Sequence, residues 1–119
     1  RSTLFPYTTL FRSVKFVLSR QGCVRCDAVV RWWARHGVDV ELVDVDRHPP
    51  LVAVMVAQGL TSLPVSVVRE DGATWGAFLG RPARAFLDTA TEVWSGVDPE
   101  RVRAWAARAR RAEQGGGVR

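Results

Sequence analysis

The feature that most constrains this chain is a pair of cysteines, Cys23 and Cys26, set where an apolar extended run gives way to a helical pattern. Val14 to Leu18 (VKFVL) mixes β-branched and aromatic residues as strands do, and Gln21-Gly22 closes it with a turn signal. From about Val24 to His36 the apolar residues Cys26, Val29, Val30 and Trp33 recur at i, i+3, i+4 and i+7, the stripe of a helix facing a core. Gly37 follows as a natural stop, because glycine tolerates a left-handed backbone. Cys23 thus falls at a helix N-terminus and Cys26 one turn on, within bonding reach on one face. Free backbone N–H groups, the helix dipole and the neighbouring Arg20 and Arg25 all favour a thiolate at Cys23, and the thiolate is the nucleophile in disulfide exchange. A bridge closing so small a loop restrains little chain, so its value is chemical.

The rest of the chain supplies a frame for that junction. Val38 to Val45 (VDVELVDV) alternates like a second strand, and Pro49 or Pro50 opens a helix that runs to about Gln58 and stops at Gly59. Pro64 to Arg69 reads as a third strand. Glu70 to Gly72 is a hairpin turn signal that makes Ala73 to Ala77 the expected partner strand. A helix is expected over Pro82 to Trp94. Asp98-Pro99-Glu100 starts another, expected to fade near Glu113 before a frayed Gln114 to Gly117. That order, β-α-β-α-β-β-α plus an extra C-terminal helix, predicts an α/β fold. Its four-stranded mixed sheet is flanked by helices, and the first crossover is right-handed. Thr61-Ser62-Leu63-Pro64 precedes the third strand. A cis bond before Pro64 there would leave the Leu63 backbone open beside the dithiol, ready to pair with an extended substrate.

Composition narrows the possibilities. Residues Thr3 to Ser13 match the one-frame translation of a sequencing adapter, and the chain has no initiating Met; segment 1–13 is therefore expected to be foreign, with 14–96 as the domain and 97–119 as a basic helix and tail. Arg1 and Arg12 carry two of the five net positive charges, and six arginines against two glutamates follow Pro99, so 14–98 is close to neutral. Overall basicity is then a poor argument for nucleic acid. The basic C-terminal helix, with Val102, Trp105, Ala106 and Ala109 on one stripe, is expected to dock on the domain. Trp32 either meets a partner or packs on that helix. No apolar run reaches the roughly 18 residues of a membrane span. Zinc usually takes four ligands, and neither His36 nor His48 has finger spacing from the cysteines, so no metal is expected. Sixteen arginines against one lysine suggest a GC-rich genome.

Several ordered motifs together resemble the glutaredoxin/thioredoxin superfamily, and its NrdH-redoxin branch most of all. That branch has Lys-Pro-Gly-Cys-Val-Gln-Cys-Asp-Ala, where this chain has Arg20 to Ala28 (RQGCVRCDA). Gly37 to Val40, Val43 to Val45, Leu63 to Val65 and Trp75 to Phe78 stand where the branch has Gly-Ile-Asp-Tyr, Val-Asp-Val, Val-Pro-Val and Trp-Ser-Gly-Phe. The resemblance implies that this fold is thioredoxin-like, of the glutaredoxin type, and that the chain is a dithiol–disulfide oxidoreductase with Cys23 as attacking and Cys26 as resolving thiol. Arg20, Val24, Arg25, Leu63 and the cis-Pro64 would line the substrate site. It implies no bound cofactor, a protein disulfide client such as ribonucleotide reductase, and thioredoxin reductase with NADPH as electron source in preference to glutathione. The Cys-Pro-Tyr-Cys and Gly-Gly-Asp of glutathione users are missing from this chain. The setting implied is a monomer in the cytoplasm. Arg25 replaces the family's Gln, and Leu79-Gly80 interrupts its Phe-Arg-Pro. The competing reading is a binding or regulatory module that uses the same frame and its basic helix with little turnover.

Overall fold

A computed structural model describes residues 13–118, with side chains to Arg111. The adapter-like segment lies outside the described residues except for Ser13. Strand β1 (Val14–Ser19) is the inner spine, and Lys15 to Leu18 are all buried. A strand covered on both faces reads as a continuous apolar run, which is why VKFVL shows no alternation. β1 pairs in parallel with β2 (Val40–Asp44) and antiparallel with β3 (Val65–Arg69), which pairs antiparallel with β4 (Glu92–Ser95). The order is β2-β1-β3-β4, the expected four-stranded mixed sheet.

Helices cover both faces. On one, Phe16, Leu18, Val43, Val65 and Val67 pack with Leu51 and Met55 of α2 (Pro49–Ala57) and with Phe78, Phe86 and Leu87. On the other, Val17 and Val68 meet Val29 and Trp33 of α1 (Val24–Arg35) and Val102, Trp105 and Ala106 of the C-terminal helix, α4 (Pro99–Val118). Full burial of side chains such as Phe16, Trp33 and Phe86 stabilises the fold by about 1.5–3 kcal/mol each. Trp32 packs on the cluster beneath α4 and shares a groove with Pro99, Val102 and Arg103. Gly37 takes the left-handed stop expected of it, at φ +72°. The backbone of α4 stays helical to Val118, beyond the expected end at Glu113. Extending a helix already formed takes only one further hydrogen bond per residue.

Two expectations are corrected. Ala73 to Ala77 is not a strand: Trp75–Phe78 forms a 3₁₀ turn, and the partner of β3 is Glu92–Ser95, at the end of the helix expected over Pro82 to Trp94. The intervening helix, α3, is only Ala83–Asp88, so the order runs β3-α3-β4-α4. The cause lies in Asp71, whose Oδ1 accepts from the Ala73 N–H at 3.1 Å and so turns the chain off the sheet. Trp75 and Phe78 then bury against Phe86, with ring centroids 4.8 and 5.1 Å away. The Thr91 N–H donates to the Val68 carbonyl at 2.8 Å and returns the chain to the sheet.

Arg69 holds this excursion in place. Only 2 % exposed, it donates to both Asp71 oxygens, to the Phe86 carbonyl at 2.6 Å and to Thr89 Oγ1 at 2.7 Å, with its guanidinium 4.5 Å from the Phe78 ring centroid. The hydrogen bonds from Arg69 hold the Asp71 carboxyl below its usual pKa, outweighing a smaller upward push from burial. Stability from Asp71 is therefore complete above the ordinary carboxylate pKa of about 3.9 and fades as pH falls from there through its lowered value. Arg69→Met, which strands the buried Phe86 carbonyl, should cost about 2–4 kcal/mol in urea unfolding at pH 7. Asp71→Asn should cost about 1 kcal/mol or less and flatten the acid limb of the stability curve.

Candidate active site

The end of β1 leads into the turn Arg20-Gln21-Gly22, closed by the Cys23 N–H donating to the Arg20 carbonyl at 3.3 Å. Gly22 takes φ +80°, a conformation that other residues adopt only with strain. Cys23 then caps α1 with extended backbone (φ −85°, ψ 106°), and its Sγ accepts from the Cys26 N–H at 3.2 Å. The two cysteines form a disulfide, with Cα atoms 5.3 Å apart. Cys26 is 2 % exposed and Cys23 half-buried, while Val24 is 77 % exposed. One sulfur therefore faces outward on the helix end where a negative charge is favoured, and the other lies inside.

The pairing of Leu18 with Val65 sets the Leu63–Pro64 bond beside this turn, and that bond is cis. The Pro64 carbonyl accepts from the Gly96 N–H at 2.8 Å. The Leu63 N–H and C=O have no partner among the described residues, so this short stretch of backbone stands open. Gly96 follows β4 and precedes α4; sequence periodicity does not mark it, because its role depends on the β3–β4 pairing. Val97 follows, 42 % exposed.

The two arginines are not equivalent. Arg20 Nη2 donates to Asp46 Oδ1 at 2.8 Å, with both side chains about half exposed. The Asp46 hydrogen bond and charge raise the Arg20 pKa further, so the cation is permanent but neutralised. Arg25 is exposed and has no partner among the described residues. Of the expected site residues, Val24 and Arg25 lie between the bonded cysteines, Leu63 and Pro64 directly precede the strand paired with β1, and Arg20 bonds to Asp46. Among the described residues, no three His, Cys, Asp or Glu side chains gather in a way that could hold a metal, and no helix is long and apolar enough to cross a membrane.

The family model for glutaredoxin matches residues 9–72, more than half of the chain. The chain belongs to the glutaredoxin family. That match ends just inside the excursion between β3 and β4. The glutaredoxin-like protein NrdH of Escherichia coli K12 is 34% identical over 62 residues, covering 52% of this chain and 74% of that one. The NrdH protein of Lactococcus lactis is 27% identical over 60 residues, 50% and 82% of the two chains. The solved structure of NrdH-redoxin from Escherichia coli superposes with TM-score 0.54 at 27% identity over 76% of this chain and 91% of that one. Fasciola hepatica thioredoxin, at 18% identity and TM-score 0.52 over 91% and 90%, shares the fold. This glutaredoxin/NrdH-like member of the thioredoxin superfamily is a thiol-disulfide oxidoreductase, and the binding-module reading is not favoured. In the reduced chain, iodoacetamide should label Cys23 at least about tenfold faster than Cys26, because burial protects the second thiol. Peptide mapping reads this, and the difference should vanish in urea.

Proposed function

We propose that this glutaredoxin-family chain is a cytoplasmic, monomeric electron carrier with Cys23 as the attacking thiol and Cys26 as the resolving one. The observation that carries this reading is the cap geometry: the outward Cys23 Sγ receives the Cys26 N–H, while Cys26 is buried at 2 % exposure. The Cys23 thiolate attacks one sulfur of a client disulfide, forming a mixed disulfide and releasing the client's other sulfur as a thiolate, which takes a proton. Cys26 then gives up its proton and attacks Cys23 Sγ. The second client thiolate leaves and the chain is oxidised to the Cys23–Cys26 disulfide. Two electrons pass to the client. The open Leu63 backbone is suited to pair with the client segment in extended form.

The carrier is recharged by a thioredoxin reductase using NADPH, with glutathione a poor substitute and no cofactor resident on the chain. Two features support this preference: the Escherichia coli relative is described as having a thioredoxin-like activity profile, and the chain lacks the Cys-Pro-Tyr-Cys and Gly-Gly-Asp of glutathione users. A ribonucleotide reductase is the client to which the NrdH likeness points. A coupled assay on a protein disulfide tests the donor. NADPH with thioredoxin reductase should sustain turnover, glutathione with its reductase should give less than about a tenth of it, and Cys23→Ser should abolish both. Turnover with glutathione alone contradicts the donor assignment, and activity in Cys23→Ser contradicts the mechanism.

A further inference from the structure

Charged side chains around the dithiol fall into two groups. On one side, the loop after β2 is internally compensated: Arg20 binds Asp46, Arg47 approaches Asp44 at 3.9 Å, and Asp44 accepts the Asp46 N–H at 3.0 Å. On the other, Arg25 stands between the two cysteines in sequence, exposed and without a hydrogen bond, ion pair or ring contact among the described residues. Asp27, two positions on, points to a different face of α1, since residues at i and i+2 of a helix do not meet. The rim of the dithiol therefore carries one uncompensated cation. Next to it in sequence is Val24, 77 % exposed, and Val97, 42 % exposed, follows the Gly96 that is bonded to Pro64.

This combination has a complement. Apolar side chains exposed at the rim favour a partner that covers them, and a lone guanidinium next to them favours a carboxylate, which it grips with paired N–H donors. We propose that Arg25 selects clients whose disulfide segment places an Asp or Glu beside an apolar residue next to the attacked cysteine. The inference rests on the dithiol mechanism above and names the substrate class it prefers.

A set of disulfide-linked peptides tests it, identical except for Asp, Asn or Lys next to the attacked cysteine, with dithiothreitol as electron source. Wild type should show kcat/KM in the order Asp, Asn, Lys, with about threefold per step at low ionic strength and compression in 0.5 M salt, as expected for a unit charge in a wet rim. Arg25→Gln should level the series, and Arg25→Glu should invert it. Hydroxyethyl disulfide, which carries no charge, separates this from an effect on the Cys23 thiolate. If Arg25→Gln slows the neutral disulfide and all three peptides by one common factor, Arg25 acts on the thiol and the inference fails. A flat series in an active wild type overturns the inference alone. If no peptide and no hydroxyethyl disulfide is reduced at all, the dithiol mechanism itself is overturned.

Discussion

The chemistry depends on a ladder of backbone hydrogen bonds that sets the end of β1 beside the start of β3. With Leu18 opposite Val65, the turn that carries Cys23 and the cis Leu63–Pro64 bond arrive at the same edge of the sheet from opposite directions. Register is strict here because both faces are buried: a slip of one residue would exchange Phe16 and Leu18 with Lys15 and Val17 between two differently shaped cores. Helix α1 is anchored below by Val29 and Trp33, so its N-terminus, with the dithiol, is aimed by packing some turns away. The reactive pair is itself small and local, and the frame around it supplies its direction.

A second constraint operates at the opposite pole. Arg69 ends β3 with its charge inside the protein, and its hydrogen bonds reach across to Phe86 and Thr89. A buried guanidinium is tolerated only when its donors are satisfied, and these partners all come from the excursion between β3 and β4. The residues that interrupt the sheet thus also make the interruption rigid. Because β4 then returns to pair with β3, Gly96 still meets Pro64 and the site is completed despite the interruption.

Local signals carried much of this. The β1–α1 junction was legible because β-branched residues, a turn glycine and a helical stripe change over within a few positions, and Gly37 and Gly59 mark their helix ends at positive φ. Cys23 and Cys26 followed from the same junction. The fourth strand was not legible. Ala73 to Ala77 follows a good hairpin signal, whereas Glu92–Ser95 is four residues long and directly continues a helical pattern. What decides between them is Asp71 bonding back to Ala73 and Arg69 reaching seventeen residues ahead, and neither shows in periodicity. The pairing of Arg20 with Asp46, twenty-six residues apart, was likewise beyond local reading, and it separated two arginines that looked alike in sequence.

The division of labour between the two thiols is most directly tested by trapping. Cys26→Ser cannot resolve the intermediate, so incubation with a disulfide-bonded protein client should accumulate a mixed disulfide, and mass spectrometry of the digest should place it on Cys23. Cys23→Ser under the same conditions should give no adduct above background. A comparable yield of adduct on Cys26 in Cys23→Ser, or no adduct on Cys23 in Cys26→Ser, would contradict the account.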